Sequence, residues 1–109
     1  MNVLSLLHDT NISYEIQPGH PLSQNRDIED LTYDSRKAHA GVAFVCLVGA
    51  NTDGHTYANQ AYQNGCRCFF AQHSLDLPTD AAVILTQDTR AALPALSAAL
   101  FSFPQRQLN

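Results

Sequence analysis

The side chains able to act together chemically are concentrated between Leu31 and His55, in the string LTYDSRKAHAGVAFVCLVGANTDGH. Two polar segments stand out in it. The first, Asp34-Ser35-Arg36, sets a hydroxyl between a carboxylate and a guanidinium. Nucleophilic catalysis by Ser35 is not indicated, because no GxSxG elbow surrounds it and residues adjacent in sequence do not face one another. An Asp-Ser turn after a strand does one of two other things. It closes the turn through side-chain to backbone hydrogen bonds, or it offers a hydroxyl and free N–H groups to a ligand oxygen. The second segment, Gly49 to Gly54, is short, polar and bounded by glycines. Its backbone amides can approach a base or a phosphate closely, or it can serve as a plain connection into the next element. Neither GxGxxG nor GxxxxGK is present to decide between these.

The five histidines, His8, His20, His39, His55 and His73, lack ligand spacing, so no metal site is expected from them. His55 directly follows Asp53-Gly54 at an expected helix start, where it can orient the preceding loop. Cys46, Cys66 and Cys68 are odd in number, lie in apolar runs and form no CxxC pair, which points to buried free thiols in a reducing compartment. No residue is assigned a catalytic role.

The elements that must position these groups follow from periodicity. Val3, Leu4, Leu6 and Leu7 give a short helix the apolar stripe it needs, with Asn2 as its cap. Ile12–Ile16 alternates as a half-buried strand does, and Pro18-Gly19 and Pro21 make residues 18–27 a surface loop. Ile28–Tyr33 reads as a second strand. Val42–Val48 is apolar on both faces and is placed in the middle of the sheet. A helix capped by Asp53 or Thr56 should run from Thr56 to Asn64, with Gly65 as its left-handed terminator. Cys66–Ala71 is expected as a strand with Cys66, Cys68 and Phe70 on one face, His73–Asp80 as a polar loop, and Ala82–Thr86 as a buried strand. Asp88 caps a last helix. Pro94 should kink it or delay its start, Pro104 should stop it, and 105–109 should be a linker. Strands alternating with helices predict a three-layer α/β domain with a mixed, mostly parallel sheet, one antiparallel pairing lying at an edge.

Composition excludes some functions. The chain of 109 residues suffices for one domain with one core. A net charge of −4, with only six scattered Lys and Arg, argues against nucleic acid. No apolar stretch approaches the ~20 residues that span a membrane, and Met1–Leu7 lacks a signal peptide's basic leader, so a cytoplasmic protein is expected.

The string Thr32–Cys66, TYDSRKAHAGVAFVCLVGANTDGHTYANQAYQNGC, resembles the N-terminal domain of Mur ligases of the MurE and MurF type. The matching pieces are Asp34-Ser35-Arg36, Gly41, Phe44-Val45, Gly49, Asp53-Gly54-His55 and Gly65, in order. Thr32-Tyr33 before Asp34 and the Leu-rich first helix look more like the MurE type. The sequence departs from the pattern at Val42-Ala43, where Asp-Leu is usual, and at Cys46 and Cys66, where Ala is usual.

The resemblance implies a domain, residues 1–104, that holds the UDP end of UDP-N-acetylmuramoyl-L-alanyl-D-glutamate, with 105–109 opening a linker to an ATP-binding domain. It implies that Tyr33 and Ser35 lie at the uridine site and that Ala50, Asn51 and Thr52 line it. ATP and magnesium are implied for the full-length ligase, together with central and C-terminal domains of the same protein. No cofactor is expected in this segment, and it should be inactive alone. The alternatives are a MurF-type ligase acting on a longer UDP-tripeptide and a non-catalytic nucleotide-binding module.

Overall fold

The computed structural model describes residues 3–10, 12–19, 28–48 and 53–108, with Leu4, Ser5, Asp9 and residues 101–108 described through their backbone only. The elements in order are α1 (Val3–Thr10), β1 (Tyr14–Ile16), β2 (Asp30–Thr32), β3 (Val42–Val45), α2 (Ala58–Gln63), β4 (Cys68–Ala71), β5 (Ala82–Thr86) and α3 (Thr89–Leu108). Short 3-10 turns at Ser35–Lys37 and Gly54–Tyr57 complete them.

The strands form one sheet in the order β1-β5-β4-β3-β2. β2, β3, β4 and β5 are mutually parallel, and β1 pairs antiparallel with β5 at the edge. The expected mixed sheet and edge pairing are both present. Its middle position belongs to β4, however, with β3 one place nearer the edge. β3 and β4 are buried at every residue. Their periodicity therefore separates two cores. Ala43, Val45, Cys68, Phe70, Ala82 and Ile84 face α1 and α3, whereas Val42, Phe44, Phe69, Ala71 and Val83 face α2 and the loop after β4. These are the three layers. Register places Phe44 beside Phe69, whose rings meet edge to face at 6.2 Å.

Several boundaries differ from the sequence expectation. β1 begins at Tyr14, β2 covers only Asp30–Thr32, and β3 ends at Val45. β4 starts at Cys68, and Cys66 lies in the opposite core from Cys68 and Phe70. Cys66 belongs instead to the end of α2: its N–H donates to the Ala61 carbonyl at 3.0 Å and its thiol to the His39 carbonyl at 3.6 Å. Gly65 has the expected left-handed backbone, φ 116°, and a Cβ there would stand 2.9 Å from the Ala40 nitrogen.

The segment between β4 and β5 is irregular as expected, but not wholly polar. Leu75 and Leu77 are buried beneath it. Gln17 holds Leu75 as a strand would, Nε2 donating to its carbonyl at 2.8 Å and Oε1 accepting from its N–H at 2.7 Å. α3 starts at Thr89 under the expected Asp88 cap and neither begins later at Pro94 nor stops at Pro104. The expected Asn2 cap and most of the 18–27 loop lie outside the described residues.

Candidate functional site

In parallel sheets, ligands bind outside the carboxyl ends of the strands, where loops bring free polar groups together. The two polar segments leave this end of β2 and β3, which are adjacent, with Thr32 paired to Phe44. After β2, Asp34 caps the 3-10 turn. Its Oδ1 accepts from the Arg36 N–H at 3.0 Å, and its carboxylate takes both Nε and Nη2 of Arg36, at 3.1 and 3.0 Å. The Arg36 side chain holds the Asp34 carboxyl below the usual carboxylate range. Asp34 and Arg36 thus build the turn that presents Ser35.

Ser35 is buried, and its Oγ donates to Oε1 of Gln60 at 3.3 Å. Its carbonyl accepts from Nδ2 of Asn64 at 2.9 Å, so the turn is anchored to α2 and its end. Tyr33 lies 63% exposed beside it. A cleft of about 420 Å³, lined by Tyr33, Asp34, Ser35, Arg36, Tyr57 and Gln60, opens over this turn. That volume falls within the range of small-molecule sites, about 300–1,000 Å³. Tyr57 and Gln60 were not singled out from sequence. Their spacing of three residues is the signal that could have found them, since it sets them on one helical face.

After β3, Val48 and Asp53 form an isolated antiparallel bridge that brackets residues 49–52. The predicted site residues Ala50, Asn51 and Thr52 lie outside the described residues, so of the five only Tyr33 and Ser35 are located, side by side in the cleft. Gly54 is required by close approach, as expected of this segment, but the approach is to protein. Its N–H donates to the Leu47 carbonyl at 2.6 Å, and a Cβ would meet the Leu47 nitrogen at 2.7 Å.

Asp53, His55 and His73 bring ligand-type atoms within 4.8 Å of one another. Nδ1 of His55 lies 2.5 Å from Oδ1 of Asp53, in direct hydrogen-bond contact. Two donors on one tetrahedral zinc ion, each about 2.0–2.1 Å from it, stand about 3.3 Å apart. His55 Nε2 accepts the Gln72 N–H at 2.9 Å, and its ring stacks on His73 at 3.8 Å. With both nitrogens engaged, His55 is a local organiser, as its position in sequence suggested. The His55 N–H and ring together hold the Asp53 carboxyl below its ordinary value.

The chain continues from β5 into the N-terminus of α3, where an anion could bind if N–H groups were free. They are taken: Thr89 N–H by Oε1 of Gln72, Arg90 and Ala91 N–H by Oδ1 of Asp88. A nucleoside triphosphate therefore has no cradle at this helix.

Residues 27–101 match the sequence profile of the Mur ligase family, catalytic domain, and the chain belongs to that family. It is 38% identical over 99 residues to the UDP-N-acetylmuramoyl-L-alanyl-D-glutamate–2,6-diaminopimelate ligase of Syntrophomonas wolfei, covering 91% of this chain and 20% of that one. Against the ligase of the same description from Clostridium perfringens it is 32% identical, covering 90% and 20%. Among solved structures, MurF from Acinetobacter baumannii superimposes with a TM-score of 0.72 at 28% identity, over 90% of this chain and 20% of that one. The chain thus spans about a fifth of the length of the curated relatives it matches.

Proposed function

We propose that this chain is the UDP-binding N-terminal domain of a MurE-type ligase, which adds an amino acid to UDP-N-acetylmuramoyl-L-alanyl-D-glutamate in peptidoglycan synthesis. The observation that carries the reading is the cleft over Tyr33 and Ser35 at the carboxyl edge of a Mur-ligase sheet. Tyr33 and Ser35 contact the uridine, with Ala50, Asn51 and Thr52 completing the site from the neighbouring loop. The identity to two diaminopimelate ligases favours the MurE type. The likeness to MurF supports the second reading, a domain of the ligase using the longer UDP-tripeptide.

The role of such a domain is positioning. Anchoring the remote nucleotide supplies binding energy that holds the reacting carboxylate where it can be activated. ATP and magnesium would act in further domains of a longer cytoplasmic protein, to which residues 105–109 lead from the 1–104 unit. α3 running on to Leu108 makes that connection helical at its start. The filled N–H groups of α3 support an ATP site elsewhere. Among the described residues no helix is long and apolar enough to cross a membrane.

The test is an NMR titration of the isotope-labelled chain with UDP and with uridine, repeated on Ser35→Ala. Shifts clustered at Tyr33–Arg36 and residues 49–54, reduced in the variant, are expected. No movement of these segments at millimolar ligand would withdraw the site.

A further inference from the structure

Ser35 and Gln60 are 25 residues apart in sequence and share one hydrogen bond, and its direction has a consequence for what the cleft can read. An amide oxygen only accepts, so the Ser35 hydroxyl hydrogen is committed to Oε1 of Gln60. The Ser35 oxygen is left with lone pairs, as an acceptor. Beside it, the Gln60 carboxamide nitrogen keeps its two hydrogens; among the described residues it donates to no protein acceptor. Both residues line the same cleft as Tyr33 and Tyr57, which are 63% and 42% exposed. The pair therefore presents one acceptor next to one donor, with aromatic faces available for a flat ligand to stack on.

We propose that the Ser35–Gln60 pair selects the base, taking uracil and rejecting cytosine; this rests on the reading of the cleft as the uridine site. Uracil offers an N3–H flanked by carbonyls, a donor for the Ser35 oxygen and an acceptor for the Gln60 amide. Cytosine offers at the same edge a bare N3 and an exocyclic NH2. Each would then face its like, acceptor against acceptor and donor against donor. A site built on hydrogen bonds rejects a ligand that leaves its polar groups unpaired. Gln60 acts twice, contacting the base and fixing the polarity of Ser35.

The test is a parallel NMR titration with UDP and CDP of this chain and of Gln60→Ala and Gln60→Glu, with amide dispersion confirming that each variant is folded. Gln60 is exposed, so neither substitution disturbs the core. The unsubstituted chain should bind UDP about tenfold or more tighter than CDP, the effect of one mispaired hydrogen bond. Gln60→Ala frees the serine hydroxyl to turn either way and should bring the two ligands within about twofold of each other. Gln60→Glu still accepts the serine hydrogen but cannot donate to a base carbonyl, so it should weaken UDP about tenfold and narrow the preference. Equal binding of UDP and CDP by the unsubstituted chain, or an unchanged preference in both variants, overturns the inference and leaves the uridine site standing. Binding of neither nucleotide by the unsubstituted chain overturns both.

Discussion

The Gln72 N–H donates to Nε2 of His55 at 2.9 Å, and this one bond fixes the state of the imidazole. A backbone N–H only donates, so Nε2 carries a lone pair and the ring hydrogen sits on Nδ1, where it is given to Asp53. His55 thereby ties the loop after β3 to the end of β4. Gln72 extends the tie through its Oε1 to Thr89, whose hydroxyl donates to the Cys46 carbonyl at 2.5 Å. The carboxyl ends of β3 and β4 and the start of α3 are thus joined by hydrogen bonds.

Replacing His55 should separate the two halves of this tie. In His55→Asn the amide can still reach Asp53, but it is too short to accept from Gln72, whose part-buried N–H then loses its partner at a cost of about 1 kcal/mol. A domain of this size loses about 4–8 °C of melting temperature per kcal/mol. Thermal unfolding of the variant should show that drop; a melting temperature equal to the native one would mean the Gln72 bond contributes nothing.

Gly54→Ala puts a Cβ 2.7 Å from one backbone atom of Leu47 and 2.9 Å from another. Backbone cannot swing away as a side chain does, so the loop base must open. A loss of about 1–3 kcal/mol is expected, typical of forced overpacking. Urea unfolding measures it, and an unchanged midpoint would show that the base of the loop is looser than its geometry indicates.

Acid should weaken the fold through Asp34 and Asp53. Both carboxyls are held below 3.8, Asp34 first by the Arg36 side chain and Asp53 first by the His55 N–H. Depressed in the folded state, each binds its proton less readily than in the unfolded chain. Their stabilising contribution is complete above the unfolded value and is lost as pH falls through the lower folded one. The unfolding midpoint should therefore decline below pH 3.8. Asp53→Asn, which cannot titrate there, should decline less steeply over the same range, and a parallel decline would exclude Asp53 as a contributor.

The three thiols should be silent in the native protein. Cys46, Cys66 and Cys68 are buried and form no disulfide, and burial pushes Cys46 up to about 12 and Cys66 up to about 11. A thiol reagent at pH 8 should label none of them rapidly and all three in denaturant. Fast labelling of the folded chain would show that one of these cores opens.

Where a signal is local, it was legible. The apolar run at Val83–Leu85 became β5 with the expected ends, Asp88 became the cap of α3, and Gly65 took its left-handed conformation, because each depends on a few neighbouring residues. The Asp-Ser sequence is compatible both with closing the turn and with offering a hydroxyl. The structure divides the two jobs: Asp34 closes the turn and Ser35 faces the cleft.

By itself, the sequence determined the class of fold and the family resemblance carried from Asp34 to Gly65, but it suggested one core where the sheet separates two. Only the tertiary structure decided that β4 lies in the middle, that Cys66 and Cys68 face opposite cores, and that Ser35 meets Gln60 and His55 meets Gln72. The reason is physical. Periodicity says which face of an element is buried, whereas a hydrogen bond across 17 or 25 residues depends on strand order, register and where each helix begins, and these are settled by packing the whole chain at once.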